Sequence, residues 1–357
     1  MQKSTLALRF GAALLAAVCV SDAARADAVR VLAPNADGTP EETTLEGKIA
    51  STSADEIVLD VDGQKKTLST AAVRGTQYDD EPVALAAVRA DLELGQYEDA
   101  LAKLASLDAA DVRSARAEVA AEIESLRALA TGRLALAGSE KLATGGRAVL
   151  AVVQQSPTHW RYYEAVERLG EIFAKTGKPD EAEKQFAALE KAASPLVRAR
   201  GKIARGTLAL ADAARLADAE KLFADALAEL DGADDATAVR TLAQIGAARV
   251  LAGQKRFDDA EKTLDAAIAA TPRDALATKA AIYVAQGEIR VAAGRPRDAI
   301  VSYLRVELLY PSVRERRVEA LKALVPLWTQ TGRPDRAADV RRTLKERFKI
   351  DVDAAAK

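Results

Sequence analysis

The chain is poor in the residues from which compact chemical sites are built. Its 357 residues include one cysteine (Cys19), one histidine (His159), one asparagine (Asn35) and one methionine. A disulfide within the chain needs a second thiol. A zinc site needs three or four nitrogen, sulfur or oxygen ligands, and His159 has no partner histidine or cysteine. Acid–base or triad chemistry through imidazole would rest on His159 alone. There is no serine nucleophile motif and no phosphate-cradling glycine loop. The sequence therefore predicts no catalytic residue, no metal and no cofactor. The formal net charge is −2, which does not suggest a nucleic-acid binder. Aromatics make up only 4%. No apolar run reaches the ~20 residues that span a bilayer.

What the chain has is a leader, a short β-rich stretch and a long helical remainder. Lys3 and Arg9 give a positive start, Phe10 to Val20 is apolar, and Ala24-Arg25-Ala26 has the small-x-small form of a cleavage site. Residues 1–26 read as a secretory signal peptide, so the protein is expected to be exported to the periplasm or cell envelope, with secretion as the other outcome. Cys19 is then either a passive residue of the apolar run or an acylated lipoprotein cysteine. Residues 27–43 read as a linker, since 33–43 are polar and rich in turn formers. Residues 44–76 read as a small β module of three or four strands. In it, Asp62-Gly63 separates two strand-like runs and predicts a tight hairpin. Tyr78 to Pro82 is a second linker. Residues 83–348 are helical in pattern throughout, and 349–357 form a tail.

Within the helical part a hexapeptide returns. It reads Gly-Gln-Tyr-Glu-Asp-Ala from Gly95 to Ala100 and Gly-Lys-Pro-Asp-Glu-Ala from Gly177 to Ala182. It comes back as Gly-Arg-Pro-Arg-Asp-Ala from Gly294 to Ala299 and Gly-Arg-Pro-Asp-Arg-Ala from Gly332 to Ala337. Each copy is a helix stop, a turn and a helix start: glycine takes the left-handed cap, and proline tolerates the first helical turn. Ala219 and Ala260 mark two further copies without the glycine in register. Four residues after the alanines stand Leu104, Phe186, Phe223, Leu264 and Tyr303, on one helical face. The alanines from 182 onward recur at intervals of 37, 41, 39 and 38, and the gap from 100 to 182 leaves room for one degenerate unit.

This pattern resembles the tetratricopeptide repeat (TPR) over most of 83–348, although the family's own period is 34. The resemblance implies a mainly α fold, a right-handed α-solenoid of six to seven helical hairpins, preceded by the β module. That module resembles small SH3-like or Sm-like barrels. The family also implies a non-enzymatic scaffold that binds a protein through its concave face. The asparagine- and lysine-based clamp with which some members capture chaperone tails is not expected, because Asn35 lies in a linker.

Two sets of residues are candidates for partner binding. The first is Trp160, Arg161, Tyr162 and Glu164, in the densest aromatic patch of the chain; the alternative is that this patch is inter-repeat core. The second is the basic set of the last repeats: Arg314, Arg316, Arg317, Arg341 and Arg342. Residues 27–125 carry 9 basic and 21 acidic side chains, whereas 290–349 carry 15 basic and 7 acidic. The asymmetry is either a set of solvated helix faces or a dipole along the solenoid. As a dipole, its basic end would meet an acidic protein, an anionic envelope polymer, or the acidic end of another copy, as in a structural, self-assembling component.

Overall fold

The computed structural model describes residues 26–34, 40–108, 110, 112, 115–233 and 236–352. The signal-peptide reading (apart from Ala26) and most of the tail lie outside these residues.

The chain begins with strands earlier than its composition suggests. β1 (Asp27–Pro34), β2 (Pro40–Thr52), β3 (Glu56–Val61), β4 (Gln64–Ser69) and β5 (Val73–Gln77) form one antiparallel sheet in the order β4-β3-β2-β1-β5. The described parts of the expected linker, 27–34 and 40–43, are therefore strand (35–39 lie outside the described residues), and the module has five strands. Val29 and Val31 alternate with Ala28 and Arg30, and both valines are buried. β1 pairs along its length with β2, from Asp27↔Gly47 to Pro34↔Pro40, and on its other edge with β5. The β1–β5 pairing is long-range, so no local pattern announces it. Asp62 and Gly63 both take positive φ (53° and 84°), as a type I′ hairpin requires.

Fourteen helices are described beyond the sheet, in seven antiparallel hairpins. They are α1 (Ala84–Glu93) with α2 (Tyr97–Ala105), α3 (Ala117–Ala137) with α4 (Leu142–Gln155), and α5 (Tyr162–Lys175) with α6 (Pro179–Leu189). There follow α7 (Pro195–Ala209) with α8 (Leu216–Glu229), α9 (Thr237–Gly253) with α10 (Phe257–Ala270), α11 (Leu276–Ala292) with α12 (Pro296–Leu309), and α13 (Arg314–Gln330) with α14 (Pro334–Phe348). This is a TPR-like α-solenoid. The first helices of successive hairpins pack on one another, as in α3 on α5 and α9 on α11, while second helices pack on their hairpin mates and on the next first helix. First helices thus form the inner layer.

The repeated residues do what their spacing requires. Ala100, Ala182, Ala219, Ala260, Ala299 and Ala337 are all fully buried where the second helix crosses the first. In three hairpins an aromatic ring of the second helix lies on a glycine of the first. A Cβ on Gly170 would sit 2.4 Å from the Phe186 ring, and one on Gly287 would sit 2.5 Å from the Tyr303 ring. Phe223 is held between Gly206 of its own hairpin and Gly246 of the next, where a Cβ would come within 2.1 Å.

The turn is the same with or without glycine. Gly95, Gly177, Gly294 and Gly332 have φ between 70° and 79°, and Lys255 fills the equivalent position with φ 62°. In all five the next residue's N–H reaches back five residues: Gln96 to Asp91, Lys178 to Phe173, Arg256 to Leu251, Arg295 to Arg290, Arg333 to Trp328. This is the Schellman closure. A left-handed conformation costs an L-residue about 1 kcal/mol or more, partly offset by the greater freedom of unfolded glycine. Lys255→Gly is expected to raise the unfolding free energy by about 0.5 kcal/mol in urea titration; a loss of stability would show that the lysine side chain does more than tolerate the turn.

The array does not end in open space. Hairpins one and two meet hairpin seven after one superhelical turn. Tyr97 Oη donates to Glu315 at 3.0 Å, Arg133 to Glu315 at 2.5 Å, and Arg314 to Glu98 at 2.6 Å. Lys322 donates to the Ala137 carbonyl at 2.6 Å, and Ser139 to the Phe348 carbonyl at 2.8 Å. The acidic start and basic end of the chain therefore join within one molecule.

Candidate functional site

The β module does not stack on the end of the array. It lies along the edge that carries the connections between hairpins. Its apolar face (Val29, Ile57, Leu59, Val73) packs with Leu85 and Val88 of α1, with Val119, Ile123 and Leu126 of α3, and with Trp160 just before α5. Asp55 reaches further, accepting from the Ala193 N–H at 2.8 Å in the connection between α6 and α7. Asp27 is 2% exposed; its carboxylate accepts from the Ile49 N–H (2.8 Å) and the Asp79 N–H (3.0 Å), and it pairs with Arg116.

At the centre of this junction is Glu122 of α3, fully buried. Trp160 Nε1 donates to one carboxylate oxygen at 3.1 Å, and Arg161 approaches the other at 3.4 Å. Arg89 lies 3.6 Å away and His159 Nε2 3.2 Å away. The Arg161 backbone N–H donates to His159 Nδ1 at 3.2 Å, and Nε2 faces Glu122. Burial works to raise the Glu122 carboxyl, but Arg161, His159 and Arg89 outweigh it and hold it well below the carboxylate range. His159 is thereby a structural partner, 5% exposed.

Five arginines line a cavity next to this cluster: Arg30 of β1, Arg74 of β5, Arg89 of α1, Arg133 of α3, and Arg161. They line an open cavity of about 310 Å³ with only two carboxylates, Glu93 and Glu164, in its wall. Leu92, Leu126 and Leu129 form an apolar side. Both wall carboxylates are paired with these arginines, Glu93 with Arg30 and Glu164 with Arg133 and Arg161, and four further carboxylates outside the lining hold them as well. Arg89 forks onto Glu81 at 2.6 and 2.7 Å, Arg133 reaches Glu315, Arg161 reaches Glu122, and Arg30 reaches Glu42 at 2.9 Å.

From the cavity a ladder of charge pairs continues along the inner layer. Arg133 faces Glu164, Arg200 pairs with Glu167, and Arg249 pairs with Glu288 at 2.7 Å, each pair linking adjacent first helices. Burial works to raise the Glu315 carboxyl, yet Arg133 and Arg168 bring it down to about 2. Burial works to lower Arg316, and Glu319, Glu315 and Glu171 of α5 outweigh it.

The residues singled out from sequence divide. Arg161 and Glu164 line the cavity. Trp160 does not present itself to a partner: it is 7% exposed, in the module–array core, with the Arg161 guanidinium 4.0 Å above its ring. Tyr162 is half-buried and meets Tyr163 edge-on at 5.4 Å. The basic set of the last repeats is engaged within the chain. Arg314 holds Glu98, Arg316 holds Glu319 at 2.8 Å, Arg317 forks onto Glu307 at 2.7 Å, and Arg342 holds Asp339 at 2.7 Å. Arg341 is half-buried on α14. Sequence reasoning missed Arg30, Arg74, Arg89 and Arg133. Nothing local marks them, because only the sheet and the hairpin stacking bring positions 30 to 161 together.

No described helix is long and apolar enough to cross a membrane. Among the described residues no cluster of three or more His, Cys, Asp or Glu could hold a metal ion.

No protein-family profile matches the chain, and no curated protein does. Among solved structures it is similar to a tetratricopeptide repeat protein from Parabacteroides merdae ATCC 43184, at 14% identity over 73% of this chain and 91% of that one, TM-score 0.44. It is also similar to a Rap protein in complex with competence and sporulation factor, at 13% identity over 74% and 75%, TM-score 0.47. A third is PilF of Pseudomonas aeruginosa, at 14% identity over 66% and 96%, TM-score 0.39.

Proposed function

We propose that this chain is a non-enzymatic adaptor of the bacterial cell envelope that binds a protein partner along the inner layer of its superhelical turn. The observation that carries the reading is the continuous inner layer of first helices, lined by the part-exposed pairs Arg133–Glu164, Arg200–Glu167 and Arg249–Glu288. Charged side chains already held by partners on the adjacent helix meet a bound protein with little further loss of freedom. The leader-like residues 1–26 support export, and the periplasm or envelope is the compartment we assign. Two other readings, a self-assembling component and a binder of anionic wall polymer, drew on a free basic end. Arg314 and Arg317 are committed to Glu98 and Glu307, which removes much of that support.

The test is retention of envelope proteins on immobilised residues 27–357, beside a variant with Arg200→Glu and Arg249→Glu. Both arginines lie on the inner layer and are about a third exposed, at 34% and 31%. A protein retained by the parent and lost on the variant, with helix content unchanged by circular dichroism, is the expected result. Retention of the chain's own copies alone, or equal retention by both, would sink the adaptor reading.

A further inference from the structure

We infer that the free edge of β4, with the cleft beside it, takes up an extended segment of a partner protein as an added strand, apolar at alternate positions and acidic toward Lys65 and Lys66. The site lies on the β module and stands apart from the inner layer of the array.

The backbone is the first ground. β4 stands at the end of the strand order and pairs only with β3. The two-residue turn Asp62-Gly63 sets which of its groups are committed. Such a hairpin closes on a doubly hydrogen-bonded pair, here Val61↔Gln64, and bonded pairs then alternate with open ones along the ladder. Gln64, Lys66 and Leu68 therefore bond to β3, whereas the N–H and C=O of Lys65 and Thr67 and the N–H of Ser69 face outward. The bonds just past the strand keep this phase. The Thr70 N–H donates to the Asp55 carbonyl at 2.9 Å on the β3 side, and the Ala72 N–H donates to the Ser69 carbonyl at 3.0 Å on the outer side. A row of open donors and acceptors at strand spacing is the template for strand addition.

The cleft is the second ground. It has a volume of about 600 Å³, and from β4 it takes Thr67 and Ser69, the residues whose backbone is open. Leu32 and Ala72 of the module and Pro195 and Leu196 of α7 make much of the remaining wall apolar. The Ala193 N–H, bonded to Asp55 at 2.8 Å, fixes the far wall against the module. Successive side chains of a strand point to opposite faces, so those of an added strand that share the face of Thr67 and Ser69 enter the cleft. Short aliphatic side chains suit it.

Charge chooses the occupant. Lys65 and Lys66 are exposed and form no ion pair among the described residues. Pairing β4 with β4 of a second copy would gather the lysines of both on one two-stranded interface, with no acidic residue in the strand to offset them. Charge on an edge strand is a common safeguard against such self-pairing. A partner strand with glutamates there gains cross-strand pairs instead. Exposed Glu56 lies opposite Ser69 at the other end of β4, so the acidic residues belong at the lysine end alone.

Fluorescence anisotropy of labelled Thr-Val-Thr-Val-Glu-Glu-amide, titrated with residues 27–357, tests this. Run antiparallel to β4, this peptide sets its valines opposite Ser69 and Thr67 and its glutamates at the lysines. The controls are the same peptide N-methylated at both valines and its Gln-Gln counterpart. The expected result is saturable binding of the parent peptide, weaker by about tenfold for each control. Amide exchange at Lys65 and Thr67, the outward N–H groups, should slow on binding. Thr67→Pro removes one outward donor and no ladder bond, and should weaken binding about tenfold in a chain that melts like the parent. Ala193→Phe, at an exposed position on the far wall, fills the cleft and serves if Thr67→Pro disturbs the fold. No saturable binding up to about 1 mM would overturn the inference, as would equal binding of the N-methylated peptide or affinity untouched by both variants. A dimer in sedimentation that Thr67→Pro abolishes would overturn the choice of occupant in favour of a second copy.

Discussion

Glu122→Gln is expected to lower the unfolding free energy by about 3 kcal/mol, the scale on which removal of one charge from a buried ionic cluster is felt. The carboxylate is fully buried and faces donors on every side: Trp160 Nε1, the Arg161 fork, His159 Nε2 and, at 3.6 Å, Arg89. A glutamine keeps one acceptor oxygen and turns an NH2 group toward donors that have nothing to accept it with. Arg89 retains Glu81 and Arg161 retains Glu164, which keeps the loss from being larger. Urea titration checks the value, and a loss under about 0.5 kcal/mol would show that the cluster contributes little net stability. The pH dependence follows from the same depressed carboxyls. Glu122 and Glu315 lie lower in the folded chain than their unfolded value near about 4.3. Their stabilisation is therefore fully present above that pH and is lost as pH falls toward their folded values. The melting temperature is expected to fall between pH 6 and pH 3, and to fall less in Glu122→Gln.

Charge reversal at the junction of the first and last hairpins is the second large effect. Arg314→Glu places a carboxylate against Glu98, at a contact of 2.6 Å in the native chain. Like charges in such contact cost several kcal/mol where they are partly desolvated, and Arg314 is 17% exposed. All five contacts described across this junction are polar, unlike the apolar cores between consecutive hairpins. The junction is thus the part of the array that yields. The radius of gyration by small-angle scattering is expected to grow by about a tenth from the ~20 Å of a compact chain this long, at unchanged helix content. Glu98→Arg together with Arg314→Glu should restore the compact form. Expansion that persists in the double swap would mean that the salt bridge is not what closes the turn.

The helical part was legible because its signals are local. The turn glycines, the alanines five residues on and the aromatics four beyond those all fall within one hairpin, and Phe186, Phe223 and Tyr303 lie where that spacing puts them. Lys255 escaped notice because backbone hydrogen bonds, not residue type, hold its left-handed turn. The β module was half legible. The Asp62-Gly63 hairpin is local, while β1, paired along its length with β2, is also closed on its other edge by β5, more than forty residues away. Among the candidate binding residues, Arg161 and Glu164 carried through to the cavity and Trp160 did not. An aromatic beside an arginine fits a core stacking pair as well as a surface anchor, and only burial tells them apart. The cavity needs the relative placement of five elements, which no single window of sequence holds.

The joined first and last hairpins also change how the array comes apart. In a linear stack each unit answers only to its neighbours, and terminal units fray before the middle melts. Here Arg133 and Tyr97 hold Glu315 across 182 and 218 residues of chain, so the seventh hairpin has a neighbour on both sides. Unravelling from either end of the array must first break these contacts. Denaturation then tends toward a single cooperative event, and amide exchange in α14 should approach the slow rates of the central helices instead of the fast rates of a frayed end.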